Sequence, residues 1–254
     1  MDDFIHELQR QVVIVTGGAA GIGLAAARAF AVRGAHVLIT GRRASRLEEI
    51  CRSEDRIEHL VSDVADPADA QRTIARAVEL WGRVDVLVNN AGAGLPMALE
   101  ETTAKHANEV YAVNTVGPTL LAAAAVPHLI KTSGSIINIS SSLATKPVAG
   151  FATYCASKAA LEQLTRCWAL ELAPQRVRVN AVASGPVESA FLEERMGLSR
   201  EQAEAVKAQE RNAIPLGRRG VPEDIARWII ALASRDADWV TGQVFRVDGG
   251  FTLV

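Results

Sequence analysis

The strongest constraint on the fold is the run Val12-Val-Ile-Val15. It carries no polar side chain and is followed at once by Thr16-Gly-Gly-Ala-Ala-Gly-Ile-Gly23 and an alanine-rich helical stretch from Leu24 to Arg33. A strand that is apolar on every residue has no solvated face, so it belongs inside a parallel sheet covered on both sides. Reaching the next parallel strand then requires a crossover, which the following helix supplies. Glycines at 17, 21 and 23 suit the turn between the two. They permit a tight bend, close backbone approach to a phosphate and close helix–strand packing, while the helix N-terminus attracts an anion. The same residues also suit an ordinary glycine-rich βα turn.

The strand–helix alternation continues down the chain. Ala35 to Thr40, Ile57 to Ser62, Val84 to Val88, Ser135 to Ser141, Arg176 to Val182 and Gly242 to Gly249 read as strands. Helices are expected from Ala44 to Cys51, from Pro67 to Leu80 behind Asp66, and over Thr102 to Ile130. Two more follow, from Ala152 to about Leu172 with Thr153 as N-cap, and from Pro222 to Ser234. An α/β class follows: a doubly wound parallel sheet of about seven strands with helices on both faces, as one domain spanning 1–254. Residues 188–213 are polar and partly helical, and read as an insertion over the substrate cleft. Asn114, inside a helix, is unfavourable by propensity, and a kink there that frees a carbonyl for water would account for it.

Composition narrows the function. Apolar residues make up 49% of 254 and charged residues 22%, enough for a substantial core. A net charge of -2 gives no general attraction to nucleic acid or anionic membranes. Cys51, Cys155 and Cys167 are too few and too scattered for a disulfide framework or a zinc site, which suits a reducing cytoplasm. His6, His36, His59, His106 and His128 form no ligand-spaced cluster, so no metal is expected. The acidic start is not signal-like, and no uninterrupted apolar run reaches bilayer length.

Chemistry concentrates near Tyr154 and Lys158, four residues apart and so on one helical face. A cation beside a phenol favours phenolate, which predicts a lowered Tyr154 pKa; a plain surface pair is the other reading. Ser141 ends the fifth strand, where open α/β sheets bind ligands. Asn89-Asn-Ala-Gly92 closes the fourth strand and either lines a cleft or makes a turn. At the end of the second strand, Gly41 stands where an acidic residue often holds a ribose. Arg42 and Arg43 follow it, suited to a 2′-phosphate or to a solvated helix start.

Taken in order, these motifs resemble the short-chain dehydrogenase/reductase family over nearly the whole chain. Thr16-Gly17-x-x-x-Gly21-Ile22-Gly23 resembles its cofactor loop, and Asn89-Asn90-Ala91-Gly92 its fourth-strand motif. Asn114, Ser141, Tyr154 and Lys158 resemble its catalytic tetrad. Ile214-Pro-Leu-Gly-Arg218, Pro222-Glu-Asp224, Thr241-Gly242 and Val247-Asp-Gly-Gly250 resemble its C-terminal signatures. The resemblance implies a Rossmann-type fold and an NAD(P)-dependent oxidoreductase acting on a ketone or secondary alcohol. Tyr154 would exchange the proton, Lys158 would lower its pKa and bind ribose, Ser141 would orient the carbonyl, and Asn114 would hold a relay water. Cofactor contacts would come from Gly17, Ala19, Gly21, Ile22, Gly23, Arg42, Arg43, Asp63, Val64, Asn90, Ala91, Gly92, Gly185, Val187 and Ser189, with Tyr154 and Lys158. NADP(H) is favoured over NAD(H). Two departures stand out: Ala20 replaces the basic residue common in NADP-using members, and Ser184 replaces the usual proline.

The pocket residues Leu95, Met97, Leu143, Val148, Phe151, Phe191 and Leu192 point to a moderately hydrophobic small molecule. No nucleic acid or membrane partner is expected, and the resemblance implies a homo-oligomer, commonly a tetramer. An alternative is a 3-oxoacyl thioester reductase, whose carrier protein would dock on Arg195, Arg200, Lys207, Arg211, Arg218 and Arg219. A more remote one is a non-catalytic cofactor-binding regulator.

Overall fold

The computed structural model describes residues 8–194 and 196–254; His6 and Arg195 lie outside them. The first half of the chain runs β1 (Val12–Thr16), α1 (Gly21–Val32), β2 (His36–Gly41), α2 (Ala44–Ser53), β3 (Ile57–Val61), α3 (Pro67–Trp81) and β4 (Val86–Asn89). It continues through α4 (Ala104–Tyr111), α5 (Gly117–Thr132), β5 (Ser135–Ser141), α6 (Ala152–Leu172) and β6 (Arg178–Ser184). The last part holds α7 (Phe191–Glu194), α8 (Arg200–Ala213), α9 (Pro222–Ala233) and β7 (Val244–Val247). Among the described residues, seven strands pair in the order β3-β2-β1-β4-β5-β6-β7, all parallel. The doubly wound parallel sheet read from the sequence is the observed fold.

The two-residue period of β1 divides the core between the two faces. Val13 and Val15 pack with Phe30, Leu47 and Ile229 on the layer of α1, α2 and α9. Val12 and Ile14 pack with Ile74, Leu121 and Ala169 on the layer of α3, α5 and α6. Both faces are dry, which is why the strand needs no polar residue; each fully buried Val or Ile contributes about 1.5–3 kcal/mol. The strand order reverses between β1 and β4, and the crevice at their carboxyl ends is where such sheets bind ligands.

Two helical expectations change. The stretch expected as one helix from Thr102 is α4, a π-helical turn over Ala112–Val116, and α5. The kink expected at Asn114 is this π turn, and Asn114 is fully buried in it. Gly117 starts α5 close to the preceding layer, where a Cβ would stand 2.2 Å from the Val64 carbonyl oxygen. Ala104–Thr132 is long and apolar enough, by composition, to cross a bilayer, which qualifies the expectation from the sequence. Its Leu121, Ala125 and Leu129 are packed into the core beside α3, as in the core helix of a layered fold. Thr153 is not the N-cap of α6. Phe151 holds that position, because its carbonyl accepts from Cys155 N (2.9 Å), and Thr153 lies inside the first turn.

Candidate active site

The crevice at the β1/β4 reversal opens into a cleft of about 300 Å³. Its near wall is the glycine loop, held in shape by the fourth-strand motif. Thr16 Oγ1 accepts from Asn90 N and Ala91 N, both at 3.0 Å. Asn90 Nδ2 donates back to the carbonyls of Thr16 (2.8 Å) and Gly17 (3.3 Å). Asn90 therefore braces the loop, a use the sequence reading did not foresee. It also explains Gly23, where a Cβ would stand 2.4 Å from Asn90 Nδ2. Gly21 has φ +52 and open space before it, with only Ser189 Cβ at 3.6 Å. Ala20 gives α1 no side-chain cap, and the first turn holds no acidic residue. Its first N–H groups thus present an uncompensated positive end to the cleft, which fits a pyrophosphate.

Deeper in, β5 and α6 supply the three side chains expected to carry the chemistry. Ser141, Tyr154 and Lys158 line the cleft together. Strand alternation separates the neighbouring serines. Ser140 Oγ donates to the buried Glu162 of α6 (2.8 Å), whereas Ser141 accepts from Leu143 N (3.1 Å) and stands beside the Tyr154 hydroxyl, whose pKa it lowers. Lys158 Nζ donates to the Ile139 carbonyl at 2.8 Å. Burial pushes the Tyr154 phenol up to about 12, partly offset by Ser141, and pulls the Lys158 ammonium down to about 8. The lowered tyrosine pKa expected from the helical spacing is therefore corrected. Desolvation sets the direction of both shifts, because both groups are withdrawn from water.

Of the residues predicted to contact the cofactor, Gly17, Gly21, Ile22, Arg42, Arg43, Asp63, Val64, Asn90, Ala91, Gly92, Gly185, Val187 and Ser189 line the same cleft. Ala19 and Gly23 do not form its wall; Ala19 packs into the core. Asn114 stands one layer behind. Its Oδ1 accepts from Ala93 N (2.9 Å), and its Nδ2 donates to Ala93 O (2.7 Å) and Ser157 Oγ (3.0 Å). A Cβ on Gly92 would lie 3.5 Å from both Asn114 Oδ1 and Lys158 Nζ, so the two converge behind that glycine. Gly185 is required by the C-terminal signature: a Cβ there would reach 2.5 Å from Asp248 Cα, and its N–H donates to Val247 O (3.0 Å).

The sequence reading missed other supporting groups. Asn89 Nδ2 donates to Asn138 Oδ1 and Asn138 Nδ2 to Thr165 Oγ1, both at 2.9 Å, joining β4, β5 and α6 through buried amides. Asn138 in the middle of a fully buried strand was the available signal. Gly94, next to the expected pocket residue Leu95, is a further support: a Cβ there would stand 2.7 Å from Tyr154 Cδ2. Gly94→Ala is accordingly expected to cost about 1–3 kcal/mol of stability by overpacking, measured as a lower denaturation midpoint.

A family model described as enoyl-(acyl carrier protein) reductase matches residues 17–252. A crystal structure of a short-chain dehydrogenase/reductase of unknown function from Caenorhabditis elegans, solved with cofactor, superposes with a TM-score of 0.91 at 33% identity. The match covers 98% of this chain and 97% of that one. This chain belongs to the short-chain dehydrogenase/reductase family. An uncharacterised oxidoreductase of Mycobacterium tuberculosis is 39% identical over 98% of this chain and 95% of its own length. The 3-oxoacyl-[acyl-carrier-protein] reductase of Thermotoga maritima is 36% identical over 97% and 99%. The chain is thus an oxidoreductase of the CH–OH/C=O class, and membership of the family implies NAD(P) binding.

Proposed function

We propose that this enzyme interconverts a ketone and a secondary alcohol through Ser141, Tyr154 and Lys158, with residues 188–213 covering the substrate in a one-domain chain. The observation that carries the reading is the convergence of those three side chains in one cleft, opposite an uncapped helix N-terminus. A nicotinamide dinucleotide held by the glycine loop and the Arg42/Arg43 end of the cleft would supply or accept the hydride. Tyr154 Oη gives the substrate oxygen its proton in reduction and takes it in oxidation. Ser141 Oγ, beside that hydroxyl, orients the same oxygen. Lys158 would hold the ribose hydroxyls of that cofactor and, as a cation, would favour phenolate. Asn114 fixes the Ala93 backbone behind Gly92, and its π turn carries the water link to Lys158.

Val64 and Asp63 serve the adenine, Gly92 the ribose, and Val187 and Ser189 the carboxamide. NADP(H) is the preferred form. Gly41 presents no carboxylate to a 2′-oxygen, and Arg42 and Arg43 line that end of the cleft. Their present partners are Asp63 at 3.8 Å and Glu194 at 3.0 Å. Both pairs are more than one-third exposed and worth little, so a doubly charged phosphate can displace them. Titration followed by nicotinamide fluorescence tests this preference. Wild type is expected to bind NADPH more tightly than NADH, and Arg42→Ala to weaken NADPH about tenfold with NADH nearly unchanged. Tighter NADH binding by wild type would make both arginines a solvated helix start.

The substrate is a moderately hydrophobic small molecule, since Leu143, Phe191, Leu192 and Met196 face the cleft. Preferential turnover of small, highly charged carbonyls in a substrate panel would overturn that. The relative from Thermotoga maritima favours a second reading, a 3-oxoacyl thioester reductase. The basic docking surface that reading needs is largely neutralised: Lys207 pairs with Glu204, Arg211 with Glu188 and Arg218 with Asp224. A cytoplasmic homotetramer formed through α4, α5, α6 and the C-terminal segment is the proposed assembly. It is supported by Leu170 (81% exposed) and Leu253 (85%) on those surfaces and is measurable by light scattering.

A further inference from the structure

Arg219 was read in the sequence as part of a surface basic patch. Instead it is withdrawn from solvent, 5% exposed, the only arginine so buried among the described residues. A buried guanidinium is costly unless paired, so its partners reveal what it holds. Nη2 donates to the Val187 carbonyl at 2.6 Å. Nε lies 3.2 Å from Glu188, on the same turn. Nη1 pairs with Glu210, near the end of α8. Backbone bonds complete the clamp: Glu188 N donates to Gly220 O (2.8 Å) and Gly220 N to Pro186 O (2.9 Å). Segment 186–188 is thereby stitched to 219–220, and Val187, Arg219 and Glu210 share one wall of the cleft.

Helix α8 itself has a weak hold on the body. Ala203 is its buried residue, packed in a small cluster with Leu192 and Met196 that is separate from the two main cores. Polar links do much of the joining, through Glu210 to Arg219 and Arg211 to Glu188 (3.4 Å). The guanidinium is planar and rigid, and its one hydrogen bond, to Val187 O, and two charge contacts, to Glu188 and Glu210, tie those three positions together.

We propose that Arg219 is a positioning residue that couples the docking of α8 to the shape of the 186–188 turn. The nicotinamide end of the groove is then complete only when α8 is in place. This rests on the reading of the cleft as a dinucleotide site. It assigns to one residue outside the tetrad the link between closing over the substrate and gripping the reactive end of the cofactor.

The test is calorimetric titration of the full-length protein and its Arg219→Met, Arg219→Lys and Glu210→Gln variants. One titrant is the dinucleotide that wild type binds more tightly; the other is ADP-ribose, which lacks the nicotinamide. Arg219→Met is expected to weaken dinucleotide binding about tenfold or more while ADP-ribose stays within about twofold, with partial recovery in Arg219→Lys. Glu210→Gln is expected to speed amide hydrogen exchange across residues 200–213 and to weaken the dinucleotide in the same selective way. Equal weakening of both titrants, or no change in either variant, would overturn the proposal and leave Arg219 a structural ion pair. Failure of wild type to bind either titrant would instead overturn the dinucleotide reading itself, and this inference with it.

Discussion

Tyr154→Phe is expected to lower kcat by about 10²–10⁴-fold while leaving dinucleotide affinity within about twofold. The hydroxyl is the only atom lost. It is the group proposed to meet the substrate oxygen, and no other phenol lines the cleft. The ring itself is retained, 7% exposed and packed against the Gly94 backbone, so the pocket keeps its form. Removing the hydroxyl gives up about 1 kcal/mol of hydrogen bonding while the packed ring stays, so the melting temperature is expected to change only slightly. Steady-state kinetics beside a fluorescence titration measure the two quantities separately. Unchanged turnover would falsify the assignment of Tyr154 as the proton-exchanging group.

Lys158→Met is expected to abolish turnover and, at neutral pH, to make the protein more stable. Holding this lysine at about 8 rather than 10.5 costs the folded state about 3 kcal/mol. Methionine fills a similar volume without charge, and the lost bond to the Ile139 carbonyl returns about 1 kcal/mol of the gain. A melting temperature about 5 °C higher follows for a chain of this size. The pH dependence has a definite sign. Between about pH 8 and 10.5 the unfolded chain still holds the proton that the folded chain has released, so wild-type stability rises with pH through that window. The advantage of the variant is therefore full below about pH 8 and fades toward pH 10.5. Denaturant unfolding at pH 7 and pH 10 measures it, and an advantage that grew with pH would contradict the burial of a charged Lys158. A buried lysine kept at the expense of stability is the trade expected if it serves the proposed site.

Much of the architecture is legible in the sequence because it depends on local chemistry. An all-apolar run such as Val12–Val15 has one stable environment, and a glycine turn leading into a helix has one economical route back to the sheet. The placement of Tyr154 above Lys158 follows from helical geometry alone, and Ser141 from its place at a strand end. Even the kink at Asn114 was announced by an amide where a helix does not want one.

The tertiary structure decided what depends on groups far apart in the chain. Asn90 braces the glycine loop across 74 residues, and Gly23, Gly94 and Gly185 are glycines because of neighbours that no local window contains. The direction of the Tyr154 shift was misread because spacing reveals a nearby cation and says nothing about solvent; desolvation is a property of the whole surround. Arg219 passed for a surface charge for the same reason. Side-chain type and periodicity are written along the chain, whereas burial, close approach and charge pairing exist only once the layers have closed on one another.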